Sequence, residues 1–213
     1  GGSALADQLA RMGRNVLVLE REARFKDRVR GENMLPWGVA AARRLGIYDD
    51  LIGAGGHPTP KWVVYAMGQP GPTRELPKTT PGGDSTLNVF HPDMQEAVLA
   101  RAISAGAEVK RGATVLGIDA GPARSPSVTF EHDGKKQTLT ARIVVGADGR
   151  ASQMRAWGGF EVKQNPDFLT IAGTLLTGTR VPDDTTYLAI GPGIGSFWAP
   201  LGGNRARAYF IYP

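Results

Sequence analysis

Gly1-Gly2-Ser3-Ala4-Leu5-Ala6-Asp7-Gln8-Leu9-Ala10-Arg11-Met12-Gly13, continued by Arg14-Asn15-Val16-Leu17-Val18-Leu19-Glu20, reads as the second half of a dinucleotide-binding βαβ unit. A complete unit opens with a strand and turns through G-x-G-x-x-G onto a helix N-terminus that receives a pyrophosphate. It closes on a second strand whose final acid takes a ribose hydroxyl. Here the sequence starts at the end of the turn. Ser3 to Gly13 has helical spacing, with Ala4, Leu5, Leu9 and Met12 on the expected buried face and Gly13 as the stop. Asn15 to Leu19 predicts a short buried parallel strand, and Glu20 stands at its C-terminal end, 18 residues beyond Gly2, at the distance of the ribose-binding acid. An ordinary helix–strand pair has the same local pattern, so a second motif has to decide.

That motif is Ala141-Arg142-Ile143-Val144-Val145-Gly146-Ala147-Asp148-Gly149-Arg150-Ala151-Ser152. It predicts a buried apolar strand that runs into a small-residue turn, followed by a helix beginning at Gln153 to Trp157. Such a turn exposes backbone N–H groups that can face a phosphate. Taken alone, an Asp-Gly turn at a strand end is common.

Between the motifs, Arg21 to Arg30 is dense in charge and reads as a loop, and Leu35 to Ile47 reads as a helix ending at Gly46. Gly53 to Asp84 is rich in Gly, Pro and Thr, with one strand expected at Trp62 to Met67, and suggests an excursion from the nucleotide core. His91 to Gly106 returns to helix, with Met94, Val98, Leu99 and Ala102 on one side, before a strand around Glu108 to Lys110. Thr114 to Ile118 and Ser127 to Phe130 are expected strands, and Asp133-Gly134 signals a two-residue hairpin into Gln137 to Leu139. Beyond Asp148-Gly149, four strands of period two are expected at Leu169 to Leu176, Thr186 to Ile190, Ser196 to Pro200 and Ala206 to Tyr212.

With 213 residues, 41% apolar and 21% charged, the chain can bury a sizeable core in one or two domains. It has no cysteine, which excludes a disulfide scaffold and thiol chemistry and fits a reducing cytoplasm, the expected location. No apolar run reaches the roughly 18 residues a membrane span needs. The formal net charge of +5 is scattered as single Arg and Lys, without the clustered basic patch and aromatics of a nucleic-acid binder. An anionic cofactor or a small-molecule substrate accounts for it more simply. His57, His91 and His132 show no metal spacing.

Gly2, Glu20 after its strand, Arg30-Gly31-Glu32 before a helix ending in Leu45-Gly46, and Gly146-Ala147-Asp148-Gly149-Arg150 resemble, in order and spacing, the class A FAD-dependent monooxygenases of the para-hydroxybenzoate hydroxylase type. The resemblance implies an α/β (α+β) fold: a Rossmann-like FAD-binding domain at 1–160, with an excursion at about 53–90, and the start of an antiparallel β-sheet substrate domain at 161–213. It also implies a cofactor set. Gly1 and Gly2 end the fingerprint that cradles the FAD pyrophosphate, and Glu20, beside Arg21, binds the adenosine ribose. Arg30 falls at the pyrophosphate and ribityl region, and His91 falls where the family usually has Arg or Gln. The backbone of Val115 meets the adenine, and Asp148 and Gly149 serve both FAD and the pyridine nucleotide. No catalytic side chain is implied, since the cofactor carries the hard chemistry.

The sequence departs from the family in lacking the first strand, the first two fingerprint glycines and a Gly-Asp-Ala-(Ala/Ser)-His turn; Gly83-Asp84 continues into Ser85-Thr86 and is no substitute. A fragment truncated at both ends is therefore expected, inactive in isolation. The expected activity is hydroxylation of a planar aromatic or polyketide-like substrate with NADPH or NADH and oxygen. Tyr187, Phe197, Trp198, Tyr209, Phe210 and Tyr212 are candidates to line a pocket on the sheet, although aromatics in strands are more often ordinary core or sheet surface. Related flavoprotein reductases and halogenases share this front half, and a non-catalytic fragment that holds no FAD is the reading from a different class.

Overall fold

The computed structural model describes residues 1–120, 125–166 and 169–213. In chain order they form α1 (Gly2–Arg11), β1 (Leu17–Glu20), β2 (Asn33–Met34), α2 (Pro36–Arg44), α3 (Tyr48–Gly53), β3 (His57–Thr59), β4 (Lys61–Ala66), β5 (Gln69–Pro70), β6 (Arg74–Glu75), α4 (Leu76–Thr79), β7 (Thr86–Asn88), α5 (His91–Ser104), β8 (Glu108–Arg111), β9 (Thr114–Asp119), β10 (Ser127–His132), β11 (Lys135–Thr140), α6 (Gln153–Trp157), β12 (Thr170–Thr177), β13 (Thr185–Gly191), β14 (Ile194–Gly202) and β15 (Arg205–Tyr212). Two compact units result, Gly1–Lys26 with Val98–Asn165, and Asp27–Ala97 with Pro166–Pro213.

In the first unit β1 and β8 pair in parallel, with Leu17 opposite Glu108 and Glu20 opposite Arg111. Ala6 and Ala10 of α1 pack with Ala102 and Ala107, and Val16, Val18 and Ala105 close around them. The buried face of α1 is thus Ala6, Asp7 and Ala10, not the expected Ala4, Leu5, Leu9 and Met12; Leu5 and Met12 are exposed. Alanines allow the close approach of helix and strand, and Asp7 is tolerated inside because Arg101 and Arg11 meet its carboxylate. β9, β10 and β11 form an antiparallel meander around the fully buried Phe130. Its hairpin turn places Asp133 at φ 51° and Gly134 at φ 69°, the left-handed pair of a type I′ turn that matches the twist of the strands.

The strand expected at Arg142 to Val145 does not form as a ladder. That stretch is irregular, with Ile143 and Val145 exposed, because no strand among the described residues pairs with it. The turn and helix that follow do form: Ser152 caps α6, its Oγ accepting from the Arg155 amide.

In the second unit a sheet runs β12-β15-β14-β13-β4-β5, with β6 also on β4, and a smaller sheet runs β2-β7-β3. β4, from the Gly/Pro-rich excursion, lies parallel to β13, from Lys61 opposite Thr185 to Ala66 opposite Ile190. The excursion therefore belongs with the C-terminal strands, and the partition differs from a linear boundary at 160/161. Thr59 Oγ1 lies 2.5 Å from Thr86 Oγ1 and 3.0 Å from Thr186 Oγ1, while the Asn88 amide donates to the Pro200 carbonyl at 2.8 Å, so these buried polar groups satisfy one another between the two sheets.

Strand register divides the six expected pocket aromatics between two faces. Phe197 lies opposite Tyr209 and shares a face with Trp62, with ring centroids 5.8 and 6.1 Å apart. Tyr187 lies opposite Trp198 on the other face, with Phe210 and Tyr212. One pocket cannot use all six, because neighbouring residues of a strand point to opposite sides.

Candidate functional site

The first unit contains Gly1, Gly2, Glu20, Arg21, Val115, Asp148 and Gly149 of the expected cofactor residues, and it brings the 146–149 turn against the start of α1. Gly1 is the N-cap of α1, and among the described residues no side chain caps it and no acid sits in its first turn. A Cβ on Gly2 would stand 2.9 Å from the Cβ of Ala147, so the helix start and the 146–149 turn approach more closely than any side chain allows. Gly1 and Gly2 are thereby brought beside Asp148 and Gly149. Gly149 sits at φ 83°, which a side chain would strain.

Asp148 is held by its own turn. Burial pushes its carboxyl up, but the Ser152 hydroxyl and the amides of Met154, Asp148 and Gln153 outweigh it and hold the group below the usual carboxylate range. Its Oδ2 accepts from the Met154 amide at 3.2 Å, so the carboxylate caps α6. Glu20, half-buried at the end of β1, is oriented by the Glu22 amide, which donates to Oε1 at 2.8 Å. The Glu20 carbonyl accepts from the Ala113 amide at 3.0 Å, tying this strand end to the start of β9, where Val115 lies on an edge strand. Arg21 does not join the group in any defined way: its side chain is exposed, 3.8 Å from Glu22.

Arg30 and His91 lie in the second unit, linked by a residue the sequence reading did not single out for a role. Glu32 is fully buried. Its Oε2 lies 2.5 Å from Arg207 Nε and accepts from the Tyr209 hydroxyl at 2.8 Å, while Oε1 accepts from Arg207 Nη2 at 2.9 Å. Oε1 is also 3.4 Å from the His91 amide, and the Tyr209 hydroxyl lies 3.2 Å from the Arg30 carbonyl. Asp27 adds a second carboxylate to Arg207 at 2.5 Å. Burial pulls the Arg207 guanidinium down, but Glu32 and Asp27 hold it above its ordinary value; burial, then Glu32, pushes the Tyr209 hydroxyl up. The detectable signal was Arg207 itself, a charge between Ala206 and Ala208 in a buried strand, which demands a partner.

The side chain of Arg30 is exposed, and His91 is half-buried at the start of α5 with its Nδ1 enclosed and unpartnered. Burial pushes the imidazole below its ordinary value, against the pull of Glu32 and with the help of the Arg30 charge. Within the first unit, a glycine helix start beside the 146–149 turn and an oriented acid at a strand end are compatible with an anionic dinucleotide. Among the described residues there is no group of His, Cys, Asp and Glu able to hold a metal.

These features define an α/β protein of two units, one with a parallel strand pair against α1 and one with a mixed sheet in which β4 runs parallel to β13 among otherwise antiparallel pairs. The chain belongs to the FAD binding domain family, which it matches over residues 1–207. Among curated proteins it is 27% identical over 220 residues to digeranylgeranylglycerophospholipid reductase 2 of Methanococcoides burtonii, covering 97% of this chain and 51% of that protein. The chain spans about half the length of the curated relatives it matches along most of its own length. PqsL, a probable FAD-dependent monooxygenase from Pseudomonas aeruginosa, superposes with a TM-score of 0.83 at 21% identity, covering all of this chain and 57% of that one. Aklavinone-11 hydroxylase, solved with FAD and aklavinone, gives 0.80 at 20% identity, covering all of this chain and 44% of that one. The fold is that of the FAD-dependent monooxygenases, as the sequence resemblance implied. No helix among the described residues is long and apolar enough to cross a membrane.

Proposed function

We propose that the chain holds FAD and forms part of a monooxygenase that hydroxylates a planar aromatic or polyketide-like substrate, with NADPH or NADH as reductant and oxygen as co-substrate. The observation that carries this reading is the start of α1 packed against the Asp148-Gly149 turn with no room for a Cβ at Gly2. Bound FAD would supply the redox chemistry with oxygen. The protein's own residues would bind and orient: the Gly1-Gly2 end of α1 would hold the pyrophosphate, the Glu20 carboxylate, already oriented by the Glu22 amide, would take a ribose hydroxyl, and the Val115 backbone would meet the adenine. Arg21 would add charge at the ribose end, Asp148 and Gly149 would keep the turn shaped for the cofactor, and the family resemblance assigns Arg30 and His91 to the cofactor as well. On the sheet, the face of Trp62, Phe197 and Tyr209 offers a flat aromatic surface for a planar substrate.

A second reading, a flavin-dependent reductase of an unsaturated lipid chain, is favoured by the relation to the archaeal reductase along 97% of the chain. Titration with FAD, followed by desalting and a visible spectrum, tests the shared part of both readings: retained flavin absorbance is expected, and a folded chain that retains none overturns both. NADPH or NADH consumption by a protein extended to the full length of its relatives then separates them. Stoichiometric oxygen uptake with a hydroxylated product supports the monooxygenase, whereas a saturated product formed without oxygen supports the reductase.

A further inference from the structure

We infer that Glu32, clamped by Arg207 and Tyr209, is a positioning residue that sets the backbone of both Arg30 and His91 from the substrate sheet. This rests on the reading of Arg30 and His91 as cofactor-facing. Glu32 is two residues from Arg30, its carbonyl accepts from the Val89 amide at 2.8 Å, and its carboxylate faces the His91 amide, so one residue joins both segments. The clamp comes from β15: Arg207 Nη2 donates to Oε1 while its Nε lies 2.5 Å from Oε2 as an ion-pair contact without hydrogen-bond geometry, and the one Tyr209 hydroxyl proton faces two acceptors, Glu32 Oε2 and the Arg30 carbonyl. Gly173 of the neighbouring strand completes the fit, since a Cβ there would stand 2.7 Å from Val29 Cγ1. Residues 29–32 are therefore seated directly on the sheet face that carries Phe197 and Tyr209. A substrate that shifts β15 shifts Arg30 with it.

A buried carboxylate gripped on both oxygens is a poor choice for stability alone, because an apolar pair of similar volume often serves as well or better. What the ion pair supplies, and an apolar pair does not, is a fixed direction for each hydrogen bond. Two variants separate position from stability. Tyr209→Phe keeps the ring against Phe197 and removes only the hydroxyl; Glu32→Leu with Arg207→Met replaces the pair with apolar bulk.

The test uses two readouts on the chain, of which the first needs no flavin. Trypsin cleavage after Arg30, followed by mass, is expected to accelerate by about tenfold or more in both variants as the segment opens locally, with the urea midpoint of Tyr209→Phe close to the parent. In the second readout, FAD affinity falls by about tenfold in Tyr209→Phe, the visible circular dichroism of bound flavin changes, and adding Arg30→Ala causes no further loss, as coupled sites require. Unchanged cleavage in both variants overturns the inference, and so does full additivity with Arg30→Ala. If the parent chain binds no FAD, the functional proposal fails and the cleavage rates alone decide the positioning role.

Discussion

Removal of the Asp7 carboxylate tests how α1, the helix whose start is the proposed pyrophosphate site, is held in place. Asp7 is fully buried; Oδ1 meets Arg11 Nε at 2.8 Å, and Oδ2 meets Arg101 Nε at 3.1 Å and Gln8 Nε2 at 2.9 Å. The Arg11 side chain is 48% exposed, so that i,i+4 pair contributes only about 0.3–0.5 kcal/mol. Arg101 is 20% exposed, and stripping a buried pair of one partner costs about 3–5 kcal/mol when the survivor cannot reach water. With part of Arg101 able to rehydrate, Asp7→Ala is expected to destabilise the first unit by roughly 2–3 kcal/mol, read as a lowered urea midpoint and faster amide exchange in α1 and β1. Asp7→Leu with Arg101→Met should recover most of that loss. The pH dependence has a definite sign: burial raises the Asp7 carboxyl, Arg101 and Arg11 outweigh it, and the folded pKa lies below 3.8. The stabilisation is therefore complete above the unfolded value and is lost as pH falls through the folded one, so parent and Asp7→Asn should converge in acid. A loss under about 1 kcal/mol for Asp7→Ala, or a double variant as unstable as the single one, refutes the anchoring argument.

Four further outcomes are expected. Gly2→Ala forces its Cβ against Ala147 and should weaken FAD binding at least about tenfold with little change in urea midpoint; an unchanged dissociation constant removes the helix start from the site. Glu20→Ala should weaken FAD by roughly 1.5–3 kcal/mol, the worth of a charge-assisted hydrogen bond, which isothermal titration resolves easily. Gly134→Ala places a side chain at φ 69° and should cost about 1 kcal/mol in chemical unfolding, with Gly134→Asn costing less. Because the folded imidazole of His91 lies below 6.5, the unfolded chain takes up the proton first, and stability should fall as pH drops through that region; His91→Gln should remove this dependence in thermal scans at stepped pH.

Local chemistry was legible wherever a single residue type decides the backbone. Gly13, Gly46 and Gly106 end helices at or beside the observed stops, and Asp133-Gly134 makes the hairpin it signalled. α6 spans Gln153–Trp157 as expected, because Ser152 supplies the cap. Non-local pairing was not legible. Nothing in Lys61–Ala66 announces that its partner is Thr185–Gly191, since a parallel pairing across such a separation leaves no turn between the strands to mark it. The face of α1 was misread because its buried stripe is built from alanines and an ionised acid, which a search for large apolar residues passes over. Glu32 carries no local mark of its role either: within Arg30-Gly31-Glu32 it is one more charge, and only the fold sets Arg207 beside it, 175 positions on.

Asp7 and Glu32 make the same point from separate units. Each is a fully buried carboxylate gripped by an arginine, and each lies within a few residues of a backbone segment proposed to meet the cofactor. Asp7 lies in the second turn behind the Gly1-Gly2 end, and Glu32 lies two residues after Arg30. Apolar pairs could fill both volumes without the cost of desolvating charge. Such pairs would leave helix α1 free to slide along its alanine face, where the contacts are small and nearly alike, and would leave residues 27–32 without directed bonds to β15. A cofactor site needs its donors held to within a few tenths of an ångström, which hydrogen-bond geometry enforces and alanine packing does not. If this is why the charges are buried, apolar replacement of the pair at either place should leave the urea midpoint close to the parent while lowering FAD affinity. A parallel rise or fall of both quantities would mean that the carboxylates serve stability alone.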